Sequence, residues 1–156
     1  MESTLKNKSV LEFIWWLFTA TVVVAVIFPI WNNLTTYPFL TVNIVFIVVF
    51  ITLTRYVFLL KHTILAKTQG IKVGIVLISI PIIFMLIEGL SGFQNYLDEE
   101  GLNKFLPSMN LDEQQIMINY IKSEMLLFGV GSIIIAIIFP FRMVISVWRN
   151  RNTNNV

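Results

Sequence analysis

One acidic residue stands inside a long apolar run of this sequence, and it has the clearest capacity for chemistry. Glu88 is the sole charged residue between Val73 and Phe93. Such a run is long enough to cross a bilayer as a helix. A carboxyl group in hydrocarbon favours a proton, a cation or a hydrogen-bond donor as its partner. Glu88 is therefore a candidate proton or cation site.

Depth in the bilayer indicates which polar residues could join Glu88. At a rise of ~1.5 Å per residue, Glu88 lies ~22 Å from the start of its run, in the outer leaflet. Asn43 reaches about the same level in a second run, and Asn33 and Ser91 lie slightly above it. We favour a plainer interpretation, in which Glu88 reaches the headgroups or fixes helix register with one hydrogen bond. Below Glu88, the run offers only Ser79 and a carbonyl freed by proline, which is too little for an ion path.

A second polar group is predicted near the opposite face of the membrane. Glu12, Arg55 and Arg142 fall within about two helical turns of that face by the same arithmetic. Glu12 could bridge to one arginine, while the other could hold a lipid phosphate. The favoured alternative is that both arginines extend to the interface, as long basic side chains at helix ends usually do.

Small residues predict where two helices approach most closely. Gly89 and Gly92 match Gly129 and Ser132 in depth on the next apolar run. Small side chains let membrane helices pack backbone to backbone. We therefore expect the third and fourth helices to be nearest each other around Glu88.

Signatures of catalysis and of cofactor binding are missing from the sequence. There is no cysteine, and the one histidine, His62, cannot supply paired haem ligands. Nucleophile elbows, phosphate-binding glycine loops and zinc-binding helix motifs are absent. The consecutive acids Asp98, Glu99 and Glu100 do not have the alternating spacing of a calcium loop. We expect no cofactor and no nucleic-acid partner, and an enzyme is the least supported class.

The elements that must position these residues are apolar helices. Of 156 residues, 56% are hydrophobic and 13% charged, and the mean hydropathy of +0.80 is outside the range of soluble domains. Four runs qualify as membrane spans, at about 13–31, 39–60, 73–93 and 125–147. The sequence predicts an all-α fold, a single membrane domain formed as an antiparallel bundle of four helices. The polar segment 94–124, named the acidic segment, is expected to be partly helical and external.

Charge asymmetry gives an orientation to this bundle. Nine of the eleven Lys and Arg residues lie in the leader, the second link, the tail and the adjoining helix ends, whereas the acidic segment holds six acids and two lysines. Positively charged loops stay cytoplasmic. Both termini are therefore predicted to be cytoplasmic, most simply in a bacterial inner membrane.

The function expected from these features is non-enzymatic. We expect an accessory or scaffolding subunit that lies in the lipid bilayer and binds a membrane-protein partner or itself. Apolar residues within the acidic segment would lie on the membrane, cap the bundle or meet that partner: Tyr96, Leu97, Leu102, Phe105 and Leu106. Two alternatives remain open, namely an ion- or proton-coupled transporter or channel subunit that uses Glu88, and a bundle that binds a lipid or quinone.

Overall fold

The structure is a computed structural model of the chain. It describes residues 2–34, 36–60, 63, 65, 69–106 and 109–153. Four α-helices account for most of them: α1 (Glu2–Asn33), α2 (Leu40–Leu59), α3 (Gln69–Glu99) and α4 (Leu111–Thr153). A short 3-10 helix, Asn103–Phe105, precedes α4, and no strand occurs in the described ranges.

Each of the four helices is long and apolar enough to cross a membrane. The candidate spans are Ser9–Asn33, Leu40–Leu59, Gly70–Glu99 and Leu111–Arg149. The prediction of an all-α chain with four long apolar helices is therefore confirmed. α1, α3 and α4 each contain an internal proline and extend beyond the predicted spans. A helix in lipid keeps its form through a proline because neighbouring groups satisfy the freed carbonyl.

The fourth helix is the centre of the packing. α4 packs extensively against both α2 and α3, while α1 packs mainly against α2. The larger core cluster joins all four helices and includes the fully buried residues Phe46, Ile47, Phe93, Ile121 and Met125. A smaller cluster contains Val57, Leu60, Ile135, Phe139 and Met143.

The connection from α3 to α4 folds back onto the helices. Gly101 adopts a left-handed φ of 71°, and its N–H and that of Glu100 both donate to the carbonyl of Tyr96. Glycine adopts this conformation without a steric cost, which ends α3 in a tight turn. Leu102 and Leu106 are fully buried and belong to the larger core cluster. The apolar residues of the acidic segment thus include two that cap the bundle.

The start of α4 is fixed by side-chain capping. The Asn110 side-chain oxygen accepts a hydrogen bond from the Glu113 N–H at 3.0 Å, which satisfies one unpaired donor of the first turn. The Gln114 amide donates to the carbonyls of Leu106 and Met109. These bonds attach the loop to the helix that carries the candidate site.

The outer surface of the helices is largely apolar. Large exposed side chains include Phe13, Trp16, Trp31, Phe58, Phe84, Met85, Phe141 and Trp148. Exposed apolar area on this scale is unfavourable in water and favourable in lipid. Together with the four apolar helices, it fits a small integral membrane protein.

Candidate functional site

A buried hydrogen bond joins α2 to α4 where the acidic segment ends. Asn43 lies in the first turn of α2 and is fully buried, and Glu124 lies in α4 with 6% of its surface exposed. The side-chain N–H of Asn43 donates to Oε1 of Glu124. A neutral amide therefore replaces the cation that usually accompanies a buried carboxylate.

Three further oxygen atoms around this contact are buried and have no hydrogen-bond partner among the described residues. They are Oε2 of Glu124, Oδ1 of Asn43 and the hydroxyl of Tyr37. Burial, followed by the negative charge of Glu124, raises the pKa of Tyr37 well above its ordinary value. Tyr37 therefore keeps its proton and remains a hydrogen-bond donor. We name Tyr37, Asn43 and Glu124 the buried acid site.

The neighbouring helices hold the buried acid site in place. Tyr120, one turn before Glu124, donates its hydroxyl to the carbonyl of Val26 in α1 at 2.9 Å. In the next turns of α4, close packing against α2 and α3 depends on glycine. A Cβ built on Gly129 would lie 2.9 Å from the Leu90 side chain and 3.2 Å from the Phe46 side chain. The hydroxyl of Ser132 donates to the Gly129 carbonyl.

The structure separates Glu88 from the other residues grouped with it by depth. Glu88 and Ser91 are exposed on α3, whereas Asn43 is fully buried and bonded to Glu124. Asn33 donates to the carbonyl of Pro29 in its own helix. Depth gives only the level of a residue in the membrane. The direction of its side chain depends on the rotation of the helix about its axis, and the rotation of α3 points Glu88 outward.

Of the predicted small residues, Gly89 and Gly129 lie in tight contacts and Gly92 does not. A Cβ on Gly89 would approach Val42 of α2 at 3.0 Å, whereas one on Gly92 would meet open space. α2 therefore approaches α3 at Gly89, and Gly129 accommodates side chains from both α2 and α3.

The second predicted group includes a direct ion pair. Oε2 of Glu12 lies 2.8 Å from Nη1 of Arg55, whose side chain is 4% exposed. The Arg55 guanidinium also lies 5.5 Å from the ring centre of Trp15 and 5.4 Å from that of Tyr56, which are cation–π distances. This contact attaches α1 to α2.

Arg142 has a different role from the one suggested by its depth. Its Nε donates to the carbonyl of Val57 at 3.0 Å. Val57 lies in the last turn of α2, where carbonyls have no partner within the helix. Arg142 thus caps α2 from α4.

Sequence reasoning did not single out Lys72 as a site residue. Lys72 belongs to the positively charged second link of the sequence, yet its side chain is fully buried and donates to the hydroxyl of Ser146 at 3.0 Å. The sequence feature that could have indicated this burial is its position directly before an apolar run. His62, the lone histidine, lies outside the described residues.

No metal-binding group of histidine and acidic side chains is found in the part of the chain that the structure describes. No protein-family model, curated protein or solved structure matches this chain.

Proposed function

We propose that this protein is a non-enzymatic accessory or scaffolding subunit of a membrane complex, and that it binds its partner through the exposed face of α3. The observation that carries the proposal is the exposure of Glu88 within an apolar span. Among the described residues, Glu88 forms no hydrogen bond or ion pair. A carboxyl group that faces lipid is costly, and a donor from another helix removes that cost.

The surface around Glu88 suits a helix as the partner. Gly92 lies one turn further along α3 with open space where a side chain would be. Ser91 is exposed beside it. Small residues beside a polar group allow close backbone approach and an interhelical hydrogen bond, the two contributions that drive helix association in lipid.

Cysteine cross-linking tests this interface, because the natural chain contains no cysteine. We expect Ser91→Cys to form an adduct in native membranes, whose mass distinguishes a second copy from a different protein. Val24→Cys, exposed on α1, is the matched control and should form none. Ser91→Cys protein that stays monomeric, together with purification of the chain without a companion, would contradict the proposal.

The proposed arrangement is four alternating passes with both termini in the cytoplasm of a bacterial cell. Contacts between the beginning of one helix and the end of another support this arrangement. Glu12 of α1 meets Arg55 of α2, and Lys72 of α3 meets Ser146 of α4. The positive charges near these contacts support the orientation. A membrane-impermeant thiol reagent should label Glu113→Cys in intact cells and should leave Trp148→Cys unlabelled. The reverse pattern would overturn the orientation.

A second candidate function is supported by the buried acid site. We infer that a proton-coupled role, if present, uses Glu124 rather than Glu88. The oxygens of Glu124, Asn43 and Tyr37 that lack a hydrogen-bond partner are closed to solvent. A proton can bind there without a cavity, whereas a metal ion or a water molecule needs one. A protonated Glu124 also avoids an uncompensated buried charge.

Infrared spectroscopy tests this second candidate. Wild-type protein in lipid should show the carbonyl stretch of a protonated carboxyl at neutral pH, and Glu124→Gln should remove that band. Glu88→Gln is the control and should leave it. A protonated Glu88 would give a similar band, so the decisive comparison is made in the Glu88→Gln background. A band that is absent there, or that persists when Glu124→Gln is added, would exclude the proton site.

A further inference from the structure

Two donor atoms of Arg55 have no acceptor in the part of the chain that the structure describes. The guanidinium pairs with Glu12 through Nη1, but Nε and Nη2 are buried without a hydrogen-bond partner. These two atoms lie on one edge of the guanidinium and direct their N–H groups in parallel, an arrangement that binds one or two oxygen atoms. A buried donor without an acceptor destabilises the fold, and an oxygen supplied by a ligand removes that cost.

A third polar atom without a partner belongs to the preceding residue. The hydroxyl of Thr54 is buried and forms no hydrogen bond with any described residue. Threonine within a helix often donates to the carbonyl one turn earlier, as Thr19 and Thr21 do in α1. The hydroxyl of Thr54 makes no such bond, so it is available to a ligand.

Thr54 and Arg55 line the same cleft between α1 and α2. The cleft has a volume of about 240 Å³, and its lining is Trp15, Phe18, Phe50, Ile51, Thr54, Arg55, Phe58 and Leu59. Half of these residues are aromatic, which suits a flat ring. Because a cavity of ~150 Å³ accommodates benzene, this cleft has room for one six-membered ring with substituents. Phe18 and Phe58 are exposed on the outer surface, so a molecule dissolved in the lipid can enter between them.

The charges at the cleft favour a neutral ligand. Glu12 already compensates the Arg55 guanidinium at 2.8 Å. A carboxylate or phosphate on the remaining edge would place a second negative charge close to Glu12, in a region shielded from water where like charges repel strongly. A carbonyl oxygen accepts hydrogen bonds from the same edge without adding charge.

We propose that this cleft binds the head group of a lipid-soluble quinone. One ring carbonyl accepts from Nε and Nη2 of Arg55, a second oxygen of the ring contacts the hydroxyl of Thr54, and the apolar tail leaves the cleft into the lipid. The inference goes beyond the accessory role and does not depend on the proposed partner, because the cleft lies between α1 and α2 and Glu88 is on α3.

Tryptophan fluorescence tests the proposal, because a quinone quenches an indole that it contacts. The full-length protein is placed in nanodiscs of phosphatidylcholine and titrated with a short-chain ubiquinone. We expect a saturable component of quenching, which would show that the ring is bound in the presence of excess phospholipid. Trp15→Phe should remove that component, whereas Trp16→Phe, an exposed neighbour that does not line the cleft, should retain it.

Two substitutions measure the contribution of each polar side chain. Arg55→Lys keeps a positive charge beside Glu12 and removes the paired N–H groups, so the Kd of the ubiquinone should rise about tenfold. Thr54→Val removes only a hydroxyl without a partner, so it should raise the Kd about fivefold without reducing stability. Thr21→Val, at an exposed position of α1 outside the cleft, is the matched control and should leave the Kd unchanged.

Thr54→Val keeps the test decisive even if Arg55→Lys does not fold. Leu59→Phe, at an exposed position of the rim, narrows the cleft and should also weaken binding. Three results would each overturn the proposal: quenching of the wild type that rises only linearly, a saturable component that Trp15→Phe retains, or an unchanged Kd in both Thr54→Val and Leu59→Phe. Displacement of the ubiquinone by an equal concentration of oleate would show a carboxylate site and would overturn it as well.

Discussion

Two carboxyl groups join helices in this protein, and their partners differ. Glu12 of α1 pairs with the guanidinium of Arg55, which is itself held against two aromatic rings. Glu124 of α4 pairs with the neutral amide of Asn43. The charge of the first carboxyl is compensated by a guanidinium, whereas the described donor to the second is a neutral amide. Both contacts join two helices, but only the first pairs opposite charges.

The largest expected effect follows from removing the charge of Glu12. Glu12→Gln leaves the buried Arg55 guanidinium without its anion, and we expect the free energy of unfolding to fall by about 3 kcal/mol. Reversible unfolding in mixed detergent micelles measures this change. Glu124→Gln is the matched substitution at the other site and should cost less than about 1 kcal/mol, because the amide still accepts the Asn43 N–H. Equal losses for the two variants would remove the distinction between the sites.

The next effect concerns the donor at the buried acid site. Asn43→Leu removes the N–H that Glu124 accepts and keeps a similar volume, so we expect a loss of about 2 kcal/mol. Adding Glu124→Leu should recover part of that loss, since no unpaired carboxyl would then remain. A double-mutant cycle measures the coupling between the two residues. Additive losses would show that the two side chains do not interact.

A smaller effect is expected for the packing beside the buried acid site. Gly129→Ala places a methyl group against Leu90 and the ring of Phe46, and we expect it to cost about 1 kcal/mol. Gly92→Ala is the control and should change stability by less than about 0.5 kcal/mol, because its new methyl group meets open space. If both alanines were equally tolerated, close packing at Gly129 would be unimportant for stability.

The smallest effect is expected at the exposed pair of Glu100 and Lys104, which are 2.9 Å apart. The hydrogen bond from Lys104, followed by its charge, lowers the pKa of Glu100. This pair therefore adds stability above the unfolded pKa of Glu100, and the contribution is lost as the pH falls through the lower, folded pKa. Because both side chains are exposed, Glu100→Gln should change the acid dependence of unfolding only slightly. A large change would contradict the weak contribution expected of an exposed pair.

The helices were predictable from the sequence because hydropathy alone determines them. Four apolar runs, each with at most one Asp, Glu, Lys or Arg, predicted four helices and gave their approximate limits. The lengths of α3 and α4 were not predictable in the same way. The first turn of α4 is capped by Asn110, and Leu102 and Leu106 join a core cluster that includes residues of both helices, which is a tertiary contact.

The buried acid site shows where reasoning from depth stops. Depth placed Asn43 level with Glu88, but the amide meets Glu124. Successive residues of a helix differ by ~100° in direction, so a small error in rotation exchanges an inward side chain for an outward one. For Glu12 and Arg55, the predicted depth was sufficient to identify the ion pair, because both side chains are long and carry opposite charges.

The length of α4 has a practical consequence for imaging this small protein. Its 43 residues form a rod of ~64 Å, about twice the thickness of the hydrocarbon core. The helix is continuous from Leu111 to Thr153, so its exposed first turns and its buried core residues belong to one element. An antibody fragment raised against its first turns would move together with the buried part, and it would give electron microscopy an alignment marker that a chain of 18.0 kDa lacks.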